Sequence, residues 1–77
     1  MKLSEAIVCR INELMNLQKK TAYKVYIESE VPKTTLYDTL SGTKKRVSVA
    51  MLYNVCLSLD ITLAEFFTSP LFDDIDD

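Results

Sequence analysis

The sequence predicts a compact all-α domain of five short helices, and three observations carry that reading. Apolar residues recur at spacings of three and four along most of the chain, and no stretch alternates apolar and polar residues over five positions away from turn signals. Residues that favour helix boundaries sit where the periodic runs begin and end. At 77 residues there is room for one core and no second one. A chain of this size buries only roughly 60 % of its unfolded surface.

Leu3, Ile7, Ile11 and Leu14, widened by Val8 and Met15, predict a first helix over residues 3–16. Asn16, which tolerates left-handed backbone, is its expected end. Thr21 is the expected N-cap of a second helix through Ser29, with Ala22, Val25, Tyr26 and Ser29 turned inward. Only Glu30 and Val31 then precede Pro32, so the next helix must cross steeply, with Val31 dropping into the angle as a hydrophobic pin. Proline is tolerated at a first helical position and glycine is favoured just past a last one. Pro32 and Gly42 therefore bracket a third helix, Pro32–Ser41. Leu36 and Leu40 lie on one face of it, while Lys33, Thr34, Tyr37, Asp38 and Ser41 project elsewhere.

Ser48 is a good N-cap for a fourth helix over residues 49–59, whose inward stripe is Met51, Leu52, Val55, Cys56 and Leu59. Asp60 ends it. Thr62 and Glu65 form a capping box that opens a short fifth helix, with Phe66 and Phe67 expected to close the bottom of the core. Ser69-Pro70 stops that helix and divides the chain into a domain of residues 1–69 and an acidic C-terminal tail of residues 70–77. Three uses of the tail are open: frayed, folded back through Leu71 and Phe72, or paired with a second subunit.

Composition excludes several chemistries. There is no histidine, which removes the commonest general base and transition-metal ligand, and no glycine-rich phosphate loop. No enzyme and no metal or other cofactor is expected. Cys9 and Cys56, each set among aliphatic residues, read as small buried hydrophobes, with a disulfide or a reactive thiol as the alternatives. No apolar run approaches the ~18 residues of a membrane span, and the amphipathic start is unlike a signal peptide. A cytoplasmic protein without a membrane or small-molecule partner is the expectation.

The net charge of −2 conceals a strong split. Residues 1–18 balance. Residues 19–46 carry seven bases (Lys19, Lys20, Lys24, Lys33, Lys44, Lys45, Arg46) against three acids, a net of +4. Residues 47–77 carry six acids and no base. A cationic middle that flanks a polar helix suits an anionic partner better than the whole-chain charge suggests.

The run Val31-Pro32-Lys33-Thr34-Thr35-Leu36-Tyr37-Asp38, followed by Leu40-Ser41-Gly42 and the basic loop, resembles the turn and recognition helix of the phage-repressor-like helix-turn-helix family (Cro/CI or Xre type). Met51-Leu52-Tyr53-Asn54-Val55-Cys56 resembles its fourth helix, and Leu59 to Phe67 its closing segment. The resemblance covers about residues 7–68 and implies a five-helix, lambda-repressor-like DNA-binding domain, a transcription regulator that often works as a dimer. Three positions depart from the family pattern: Tyr26 where alanine is usual, Glu30 where glycine is common at the bend, and Thr39 where an aliphatic residue is common.

Carried over by position, the resemblance implies that Lys33, Thr34, Thr35, Tyr37 and Asp38 lie in or beside the major groove of double-stranded DNA. It places Lys19, Lys20, Thr21, Ser41, Thr43, Lys44, Lys45 and Arg46 on phosphates. If five cations neutralise phosphates, log K falls against log salt with a slope of about −4.5. A homodimer is expected, with the fifth helix at Phe66 and the tail residues Leu71, Phe72 and Ile75 as its candidate surfaces. The alternative function is a protein-interaction module of the same fold, antitoxin-like or antirepressor-like.

Overall fold

Three of the helices begin at a hydroxyl that accepts from the backbone three residues on: Thr21 from Lys24 N (3.1 Å), Ser48 from Met51 N (3.0 Å) and Thr62 from Glu65 N (3.0 Å). Glu65 completes its box by accepting from Thr62 N at 3.0 Å. The computed structural model describes residues 1–43 and 46–76. They form α1 (Leu3–Gln18), α2 (Ala22–Ser29), α3 (Lys33–Leu40), α4 (Val49–Ser58), α5 (Leu63–Phe67) and a 3₁₀ turn over Pro70–Phe72, with no strand among them.

Helix ends decide where the chain turns. After α3, Gly42 (φ 81°) donates to Thr39 O and Thr43 N donates to Asp38 O, the paired bonds of a Schellman motif. The same pairing closes α1 through Lys19 and Lys20, and α4 through Asp60 and Ile61, with Lys19 (φ 56°) and Asp60 (φ 57°) in the left-handed region. α1 therefore runs two residues beyond Asn16, because Lys19 and not Asn16 takes the reversing conformation. α3 is shorter than its expected bounds: Pro32 is the residue before the helix and Ser41 the one after it.

α2 and α3 meet across Glu30 and Val31, and Val31 is buried in the angle as anticipated. Glu30 is left-handed (φ 60°), so a branched-at-Cα residue occupies a position that suits glycine. Tyr26, half-buried at the core edge, lies 5.9 Å from the Tyr23 ring, so its bulk is taken at the rim. Thr39 is fully buried, and its hydroxyl donates to Thr35 O at 2.8 Å, which removes the cost of a polar atom in an aliphatic position.

The core joins Ile7, Ile11, Leu14 and Met15 of α1 with Val25, Val31, Leu36, the α4 stripe and Phe66. Two expectations fail at its edges. Phe67 is 42 % exposed, with its ring edge-to-face against Phe66 and Phe72. Cys9 is exposed, because it falls on the outer side of α1, while Cys56 is buried; both thiols are free. Burial pushes the Cys56 thiol up to about 11, so it stays neutral.

The C-terminal segment folds back. Phe72 packs 5.9 Å from Phe66, and Asp76 N donates to Met1 O at 3.1 Å, with the Met1 ammonium 3.1 Å from the Asp76 carboxylate. Phe66 itself is fully buried, so it offers nothing to a second copy.

Arg10 is the residue that sequence reading passes over. Its Nε donates to Phe66 O (2.8 Å) and one terminal nitrogen to Glu65 O (2.9 Å), so α1 reaches the carbonyl end of α5. Arg10→Ala is expected to lower stability by about 2 kcal/mol in urea denaturation. Glu30→Gly is expected to raise it by about 1 kcal/mol by relieving the left-handed residue, seen as a melting temperature several degrees higher.

Candidate nucleic-acid interface

α3 buries Leu36 and Thr39 and packs Leu40 at the core margin. The 3.6-residue period then leaves Lys33, Thr34, Tyr37 and Asp38 on the open side, all exposed, with Thr35 half-buried between the two faces. The Lys33 ammonium lies 5.9 Å from the centre of the Tyr37 ring, a cation held over an aromatic face that is 37 % exposed. The exposed face thus combines a cation, hydroxyls, a phenol and a carboxylate, donors and acceptors of several geometries on one rigid rod.

The end of α3 is braced by its own polar side chains. Ser41 Oγ donates to Asp38 O (3.0 Å), Thr43 Oγ1 donates to the same carbonyl (3.1 Å), and the two hydroxyls are 3.1 Å apart. Both residues are exposed, as is Arg46. Lys44 and Lys45 lie outside the described residues. At the start of α2, Thr21 is exposed with its hydroxyl engaged as N-cap, and Lys19 is exposed in the turn before it.

Lys20 differs from the other cations. Its ammonium donates to Glu28 Oε1 (2.8 Å) and to the Ser58 carbonyl, so its charge is spent joining α1, α2 and the end of α4. Gln18 supports the same junction by donating to Leu59 O at 2.6 Å. Tyr23 and Lys24, both exposed on the first turn of α2, stand beside Thr21 and were not singled out from the sequence. Lys24 enters the sequence reading only through its charge, and Tyr23 only through its position next to the expected N-cap.

Among the described residues, no group of three or more Cys, Asp or Glu side chains is arranged to hold a metal ion, and no helix is long and apolar enough to cross a membrane.

Two helices crossing at a three-residue bend, the second presenting an open polar face, define a helix-turn-helix protein. Residues 10–70 match the family model described as a Cro/C1-type HTH DNA-binding domain, and the chain belongs to that family. A solved structure, "Crystal structure of the prophage Lp1 protein 11", is similar over 97 % of this chain and 100 % of that one, with 25 % identity and a TM-score of 0.84. No curated protein sequence matches the chain. The family's partner is double-stranded DNA, and the expectation drawn from the sequence holds at that level.

The Lys20 junction has a pH signature. The hydrogen bond from Lys20 holds the Glu28 carboxyl below its ordinary 4.5, against a smaller upward push from burial, with the charges of Lys20 and Lys24 adding to the lowering. A carboxylate lowered in the folded state stabilises the fold at pH above its unfolded value, and that stabilisation is lost as pH falls through the folded one. Stability is therefore expected to fall as the pH drops below 4.5. In Glu28→Gln, thermal melts across that window should show a shallower fall.

Proposed function

We propose that the protein is a repressor-like transcription regulator that reads the major groove with α3 and works as a homodimer on adjacent half-sites. The observation that supports it most is the division of α3: its apolar residues are consumed by the core, and Lys33, Thr34, Tyr37 and Asp38 are left together on the open face. A helix whose polar groups were needed for stability would show them bonded internally. Here the carbonyl of Asp38 braces the loop while its carboxylate stays outside.

In this reading Lys33 and Thr34, at the first turn, meet base edges, with lysine matched to guanine O6 and N7. Thr35 and Tyr37 flank them against a base or the sugar wall, and Asp38 accepts from cytosine N4. Lys19, Thr21, Lys44, Lys45 and Arg46 contact phosphate and set the register, while Ser41 and Thr43 give their hydroxyl protons to the Asp38 carbonyl and brace the exit of α3 instead. Lys20 contributes little, since Glu28 neutralises it. A domain of this size spans few base pairs, so useful specificity takes two copies with half-sites about 34 Å apart.

With four cations rather than five on phosphate (Lys19, Lys44, Lys45 and Arg46), the slope of log K against log salt should be about −3.6. Selection from a random duplex library tests the division of labour. Lys33→Ala should change the selected motif, whereas Lys45→Ala should weaken all sites alike and flatten the salt slope by roughly 0.9. A wild-type chain blind to duplexes even at low salt would point instead to a protein-interaction module.

A further inference from the structure

α4 shows a second organised face. Val49, Tyr53 and Leu57 follow at intervals of four on the side away from the core, and they are 70 %, 49 % and 56 % exposed. The helix carries no charged residue from Val49 to Ser58. An uncharged apolar stripe on a chain of 26 % charged residues is an unusual surface to leave in water. The charges come immediately beyond it, Arg46 before the helix and Asp60 after it. Both are exposed, and neither forms an ion pair among the described residues.

The spacing of these residues is symmetric about Tyr53. Val49 and Leu57 stand four positions to either side, and Arg46 and Asp60 seven positions to either side. We propose that this face of α4 pairs with the same face of a second copy, antiparallel about a two-fold axis at Tyr53. In an isologous contact residue i meets residue j and j meets i. Val49 then lies against Leu57 of the second copy, the two tyrosines meet on the axis, and each Arg46 comes toward Asp60 of the second copy. A face without charge does not repel its own image, and its ends are complementary only when one copy is read backwards along the other. That pattern selects a second copy of this chain over an unrelated partner.

The pairing draws on Val49, Tyr53 and Leu57, side chains separate from the exposed Lys33, Thr34, Tyr37 and Asp38 of α3. Arg46 serves both surfaces, because a guanidinium has five N–H donors and can hold a carboxylate while it meets a phosphate. The need for two copies rests on the DNA-reading role; the choice of surface rests on α4 alone.

Sedimentation equilibrium of the full chain without DNA, from micromolar to millimolar, tests it. The wild type is expected to dimerise. Tyr53→Lys places two ammonium groups on the axis and should weaken the dimer on the order of a hundredfold. Leu57→Lys should do so in the same direction, and helical circular dichroism checks that each variant is folded. Arg46→Asp and Asp60→Arg should each weaken the dimer by about tenfold, and the double variant should return it to near the wild-type value. A wild type that is monomeric throughout, folded Tyr53→Lys and Leu57→Lys variants that dimerise like it, or a double variant no better than the singles would overturn the proposal. Duplex binding at low salt separates the two readings. A dimer that binds no duplex sinks the DNA-reading role and leaves the α4 face supported. A monomer that binds duplex sinks the α4 face alone.

Discussion

The bend at Glu30, Val31 and Pro32 governs what this protein can present. Three residues of connection leave the angle between α2 and α3 little freedom, and Val31 is buried in it. An eight-residue helix is too short to persist alone, so α3 exists because this angle seats Leu36 and Thr39 in the core. The orientation of its polar face follows from those two burials. Glu30 stores the cost of the bend in its left-handed backbone, and the packing of Val31 more than offsets it.

A second constraint is the fate of helix ends in a small domain. With few residues to cover them, the carbonyl ends of α4 and α5 are met by side chains reaching across from elsewhere. Arg10 takes the end of α5, and Gln18 and Lys20 take the end of α4. Two cations that a charge count would assign to solvent or to DNA are thereby committed to the fold. Among the described residues, the positive surface around α3 is narrower than the composition suggests, with Lys19 in the turn before α2, Lys33 on the first turn of α3 and Arg46 exposed.

Much of the architecture was legible in the chain. Thr21, Ser48 and Thr62 announced helix starts because a capping hydroxyl acts on an N–H three residues away. Gly42 announced a helix end because the closing motif needs a left-handed residue there. The stripe Met51, Leu52, Val55, Cys56 and Leu59 is buried as its spacing required. The same logic separated Lys33, Thr34, Tyr37 and Asp38 from the core, so the open face of α3 could be drawn before any coordinates. The resemblance to repressor-like domains added the family, which the match over residues 10–70 establishes.

By itself, then, the sequence determined the helices, their caps, the tight bend and the identity of the polar face, because each depends on residues within about four positions of one another. Only the tertiary structure decided that Lys20 is spent on Glu28 and Ser58, that Arg10 clamps α5, and that the C-terminal segment returns to Met1. These pairings join residues far apart in the chain, 38 positions from Lys20 to Ser58 and 56 from Arg10 to Phe66. Periodicity carries no signal across such distances: which end of which helix lies nearest a given side chain is settled only when the helices pack.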